Sequence, residues 1–111
     1  MAAIANLRID QGASFSSDVT VTNSEGTVVD LSGYTTSARM AKSYGASSYV
    51  DITASVASDA TTGVIELTLT DTQTATLDAP SRYVYDVYIT QTSSSTVTRV
   101  IEGVITVNPK V

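Results

Sequence analysis

Apolar and polar residues alternate with a period of two along most of this chain. The alternation is cleanest from Ser81 to Gln91. Tyr83, Tyr85, Val87 and Ile89 fall on one side, and Val84, Asp86, Tyr88 and Thr90 on the other. A strand sends successive side chains to opposite faces of its sheet, so one set can be packed while the other meets water. Aromatic side chains bring the largest apolar area to a core, which makes Tyr83 and Tyr85 the expected interior anchors of a central strand.

The same pattern recurs on both sides of that segment. Leu7 and Ile9 alternate with Arg8 and Asp10. Phe15, Val19 and Val21 alternate with Ser16, Asp18, Thr20 and Thr22. Asn23-Ser24-Glu25-Gly26 reads as a turn, with Gly at the positive-φ position. Thr27 to Leu31 is expected to return as a short strand closing a hairpin. Further on, Thr36, Ala38 and Met40 point inward. Lys42 to Ser48 is a loop of polar and small residues. Val50, Ile52, Ala54 and Val56 form the next inward set. After the Asp59–Gly63 turn come Ile65, Leu67 and Leu69. Residues 71–77 break the alternation. A short helical turn capped by Thr70 or Asp71 fits them, with Leu77 as a buried plug. The last strand runs from about Thr96 to Val107, with Ile101, Ile105 and Val107 inward. Gly103 within it predicts a bulge or a close backbone approach.

Seven or eight short strands, with turn signals between them and no linker, predict a single domain over residues 1–111. Its class is all-β, an antiparallel immunoglobulin-like β-sandwich, with a small barrel as the other architecture that fits. The predicted core anchors are Phe15, Val19, Val21, Met40, Ile52, Leu67, Leu77, Tyr83, Tyr85, Val87 and Ile101. Tyr83 is further expected to form the corner in which a tyrosine hydroxyl bonds back to upstream backbone.

Composition changes the picture in two ways. Charged residues make up 15% of the chain, against about 25% on average. The net charge of −5 and the scatter of six basic residues leave no patch for phosphate, so nucleic acid is not an expected partner. No apolar run reaches the roughly 18 residues of a membrane helix, and the N-terminal residues lack the pattern of a signal peptide.

The chain has no His and no Cys, so the commonest general base, thiol nucleophile and zinc ligands are missing. No Gly-x-Ser-x-Gly elbow and no phosphate loop occur. The expectation is a non-enzyme with no cofactor and no metal. Asp59, Asp71 and Asp78 sit at turns and could reach calcium, but turn formation and capping account for them more simply. What remains is surface. Tyr44 and Tyr49 lie in or beside the 42–48 loop, and Tyr88 faces away from the core. Aromatics are enriched at contact hot spots, so these three are interface candidates. Met1 and Ile4 belong to a small, apolar, uncharged arm, residues 1–6, that could pair with a neighbour's strand edge.

Several segments in order carry a resemblance: Gln11-Gly12-Ala13-Ser14-Phe15, Val29-Asp30-Leu31-Ser32-Gly33-Tyr34, Ala38-Arg39-Met40, Thr62-Gly63-Val64-Ile65, Arg82-Tyr83-Val84-Tyr85-Asp86-Val87 and Ile101-Glu102-Gly103-Val104-Ile105. This order resembles small immunoglobulin-like structural proteins of tailed phages, cyanophages included. It is similar to the N-terminal domain of phage baseplate upper proteins. The resemblance implies a multi-copy virion component, made in the host cytoplasm: a capsid decoration protein, or a tail, neck or baseplate subunit acting through contacts with other virion proteins. Because the similar stretch closes at Val111, a stand-alone decorating or adaptor subunit is the expected form. On that reading, deleting residues 1–6 should weaken incorporation and spare folding. A carbohydrate-binding or host-recognition module and a bacterial adhesin domain are the other classes that the fold would serve.

Overall fold

The computed structural model describes residues 3–23 and 25–110, and eight strands carry the fold. They are β1 (Ala3–Ile4), β2 (Leu7–Asp10), β3 (Phe15–Thr20), β4 (Tyr34–Ala41), β5 (Val50–Val56), β6 (Val64–Leu69), β7 (Ser81–Gln91) and β8 (Thr96–Asn108). A 3₁₀ turn at Ala60–Thr62 and a short helix, α1 (Asp71–Ala75), complete the elements.

The strands form one hydrogen-bonded strip in the order β1-β8-β7-β4-β5-β6-β3, with β2 also on β8. β5 makes the strip fold over. Its residues Val50 to Ile52 pair with β4, whereas Thr53 to Val56 pair with β6. The sheet thereby curls until it is nearly a barrel.

The inward faces pack into one core. All eleven predicted anchors are buried there, with Tyr85 1% exposed and Val87, Leu67 and Ile101 at 1% or less. Burying side chains of this size stabilises a fold by roughly 1.5–3 kcal/mol each before ordering costs. Tyr83 makes the expected corner: its hydroxyl accepts from the Asp78 N–H at 2.9 Å.

Helix α1 also follows its local code. Thr70 accepts from the Gln73 N–H at 3.2 Å, and the Gln73 side chain accepts from the Thr70 N–H at 2.9 Å. This reciprocal cap satisfies two donors that a helix start leaves free. Leu77 follows as a buried plug.

Thr74 of α1 is fully buried and ties the helix to the β2–β3 turn. It accepts from the Gly12 N–H at 3.1 Å and donates to the Ala13 carbonyl at 2.9 Å. Thr74→Val keeps the shape and removes both bonds. It should cost about 2 kcal/mol in chemical denaturation, since a Gly12 donor and an Ala13 acceptor lose their partner. A change under about 0.5 kcal/mol would remove Thr74 as the tie.

Two expectations are corrected. The first concerns Thr27 to Leu31, which form no strand. They meet the preceding segment at one bridge, Thr22↔Val28, framed by the Val29 N–H to the Val21 carbonyl and the Asn23 N–H to the Thr27 carbonyl, each 2.9 Å. β3 pairs instead with β6 over six residues, which sets Phe15 and Val19 beside Leu69 and Ile65. The 27–31 stretch has too few inward apolar residues to compete, and Val28 stays exposed. The Asn23–Gly26 turn nevertheless forms, with Gly26 at φ 83°.

Second, the sheet is mixed rather than antiparallel. β1 and β2 run parallel to β8, in the register Ala3↔Ile101 through Asp10↔Asn108. Of the two readings expected at Gly103, the structure shows the close approach, and the bulge lies elsewhere. The β7–β8 register slips between Val87↔Ile101 and Tyr88↔Arg99, which leaves Val100 as the extra residue.

At Gly103 a Cβ would overlap the Ala5 carbonyl oxygen. The reason lies in the ladder. The Ala5 N–H donates to the Glu102 carbonyl at 2.9 Å, so a regular parallel pairing would next bring the Ala5 carbonyl to the Val104 N–H. Instead that carbonyl turns inward and accepts from the buried Tyr85 hydroxyl at 2.5 Å. The Val104 N–H is satisfied by Asn6 Oδ1 at 3.1 Å. The rotated peptide needs the room that only a glycine leaves.

Candidate functional site: a tyrosine–arginine face

The outward side of the larger half-sheet carries a registered row of charges. Asp51 of β5 lies opposite Arg39 of β4, Arg39 opposite Asp86 of β7, and Asp86 opposite Glu102 of β8. Opposite charges side by side on a sheet attract, whereas Asp86 facing Glu102 would repel. Arg99 relieves that repulsion. Its Nη2 pairs with Glu102 Oε2, and its Nε lies 3.8 Å from Asp86 Oδ2.

The bulge at Val100 puts Arg99 there. Ile101 is inward, so strict alternation would also turn residue 99 inward. The extra residue restores Arg99 to the outer face, opposite Tyr88. Its Nε is nonetheless a buried donor with no hydrogen-bond acceptor among the described residues.

Two rings rest against these guanidinium groups. Arg39 Cζ lies 4.2 Å from the Tyr49 ring centre, and Arg39 Nε lies 3.3 Å from Asp51 Oδ1. Arg99 Cζ lies 5.3 Å from the Tyr44 ring centre. Both distances are within cation–π range, worth about 0.5–1 kcal/mol at exposed sites. The loop between β4 and β5 that presents the rings is shaped by the Ala46 N–H bonding the Ser43 carbonyl at 3.2 Å, with Gly45 at φ 77°. Tyr44 and Tyr49 remain 57% and 50% exposed. Between this loop and β7 lies an open depression of about 190 Å³, which Tyr44, Tyr49, Tyr88, Arg39 and Asp86 help to line.

The structure therefore brings the three predicted surface tyrosines to one place. Ile4 lies on the same outer face, opposite Glu102 at the sheet's edge, and is 75% exposed. Met1 lies outside the described residues. Sequence reasoning missed Arg39 and Arg99 as parts of the face. The alternation placed Arg39 outward, but Arg99 required the bulge.

The turn aspartates have structural places. Asp59 accepts from the Thr61 N–H at 3.1 Å, Asp71 begins α1, and Asp78 pairs with Lys42 at 3.0 Å. Among the described residues no group of three or more Asp or Glu is placed to hold a metal ion. Among the described residues no helix is long and apolar enough to cross a membrane. No protein-family model matches the chain, and no curated protein matches it in sequence.

Proposed function

We propose that this protein is a non-enzymatic, immunoglobulin-like subunit of a tailed-phage virion, present in many copies and held by contacts with neighbouring proteins. Several features support the immunoglobulin-like part of the reading. Two sheet halves enclose one core, β5 passes from one to the other, and a tyrosine corner forms at Tyr83. Tyr85, two residues on, takes the inward position where antibody domains carry a cysteine.

The observation that carries the role is the state of the sheet's two ends. Among the described residues, β3 has no strand partner beyond β6. At the other end β1 pairs with Ile101 and Glu102, while among the described residues Thr96 to Arg99 of β8 have partners on the β7 side alone and Val100 is the bulged residue. Val97, 60% exposed, lies within that open stretch, and exposed Ile4 lies in β1, which borders it. Unpaired strand edges with apolar neighbours are templates for strand addition by another chain.

The direct test is an electron-microscopy map of the purified particle. Density for this fold, repeated by the particle's symmetry and touching a neighbour along β3 or β8, is expected. Particles that contain no copy of the chain would refute the reading.

The arm needs a different cut from the one expected. Removing residues 1–6 would also remove the Ala5 carbonyl and the Asn6 side chain, which satisfy Tyr85 and Val104. A deletion of residues 1–4 spares both. It should lower incorporation several-fold while shifting thermal unfolding by no more than a few degrees. Undiminished incorporation would rule the arm out as a contact.

A further inference from the structure

We infer that the depression between the β4–β5 loop and β7 binds one residue of an uncharged saccharide chain. The inference is separate from how the subunit is held in a particle: no residue of β3 or of Thr96–Val100 lines the depression, although Arg99 of that stretch braces Tyr44.

Three observations converge. First, Tyr44 and Tyr49 are fixed without being buried: a guanidinium braces each ring, and half or more of each residue stays exposed. A ring held in place loses little freedom when a ligand stacks on it, and its negative face attracts the polarised C–H groups of a sugar ring.

Second, the charges of the face largely offset one another. Arg39 and Arg99 are set among Asp51, Asp86 and Glu102, two positive groups among three negative ones, on a chain of net charge −5. A free anion is repelled by such a site, and a cation would have to displace an arginine. A neutral polyol meets neither obstacle. Each hydroxyl can donate to a carboxylate oxygen and accept from a guanidinium N–H, and the face presents both side by side. A proline-rich peptide offers carbonyl acceptors and few donors, so it leaves the carboxylates unmatched.

Third, at about 190 Å³ the depression is smaller than the roughly 300–1,000 Å³ of sites for drug-sized ligands. It suits one ring-sized unit, and its open side lets a longer chain run past.

The test is titration of the isotope-labelled full chain, followed by amide NMR, with maltohexaose, cellohexaose, mannohexaose and chitohexaose. A hexameric galacturonate serves as the acidic probe. At least one neutral hexamer should shift amides of residues 43–49 and 84–88. Tyr49→Ala and Arg39→Gln should each weaken that binding about tenfold, or roughly 1.4 kcal/mol. Tyr49→Phe should keep it, as should Val97→Ser, which lies outside the depression. The spectra themselves report whether each variant is folded.

The inference is overturned if no neutral hexamer shifts these amides below about 10 mM, if the shifts lie elsewhere, or if the acidic probe binds more tightly. It is also overturned if Tyr49→Ala removes the chain from particles while no saccharide binds, because the face is then a protein contact.

Discussion

Gly103→Ala should unfold or partly open this protein, with a loss of about 3 kcal/mol or more, at the upper end for overpacked sites. The added methyl would overlap the Ala5 carbonyl oxygen, and it would stand 2.8 Å from the carbonyl carbon and 3.1 Å from Tyr85 Cε1. Two of these are backbone atoms, and the third belongs to a fully buried ring. None is the free end of a flexible side chain that could swing away. The one element that can yield is the edge formed by β1 and β2, held to the body by parallel pairing with β8. The expected signature is therefore local as well as global. Amide exchange should accelerate most at Ala5, Leu7 and Ile9, ahead of β4 and β6. A variant that melts with the wild type and protects those amides equally would remove the close approach from this account. Gly33→Ala provides a contrast, because nothing lies within 4 Å of its added carbon and its cost would come from its positive φ alone.

Tyr85→Phe should cost roughly 2 kcal/mol at neutral pH, and that cost should shrink in alkali. Removing the hydroxyl leaves the Ala5 carbonyl without its partner, and an orphaned buried acceptor costs about 1–3 kcal/mol. The same burial acts on the phenol's titration. Burial first, and the neighbouring Tyr44 second, push Tyr85 from 10.0 up to about 12. The unfolded chain gives up this proton near pH 10, and the folded chain keeps it to about 12. Between those values the unfolded state binds fewer protons, so stability falls as pH rises. The contribution is complete below pH 10 and fades through about pH 12, by an amount on the order of 2 kcal/mol. The other tyrosines are common to both proteins, so the difference between wild type and Tyr85→Phe isolates this one. Parallel unfolding curves from pH 8 to 12 should converge. A constant gap across that range would mean that Tyr85 titrates normally.

Much of this architecture is legible in the chain, and particular residues show where legibility stops. The period-two runs around Ile52, Leu67 and Tyr85 identify inward faces, because a strand's geometry gives its side chains no other choice. A helix start at Thr70 or Asp71 is legible for a similar reason, and the structure closes it with Thr70 and Gln73, partners only three residues apart. Thr27 to Leu31 look like a strand by the same rule and are not one. Alternation says which side a residue faces, and it does not say which strand lies alongside. β6 won β3 by offering six residues of matched pairing. The tyrosine–arginine face shows the same limit. Tyr44, Tyr49 and Tyr88 are recognisable one by one as surface aromatics. Their meeting at Arg39 and Arg99 depends on the β4–β7 register and on one extra residue at Val100.

Sequence, then, settles what is local here: strand faces, turn glycines, a helix start at Thr70 or Asp71 and the buried identity of Tyr83 and Tyr85. Each follows from steric and hydrogen-bonding rules that act over a few residues. The folded chain alone decides that the N-terminal strand runs parallel to β8, that Gly103 admits a rotated carbonyl, and that three tyrosines share one face. Those outcomes come from competition among distant segments for the same hydrogen bonds and the same volume, and no short window of residues contains both competitors.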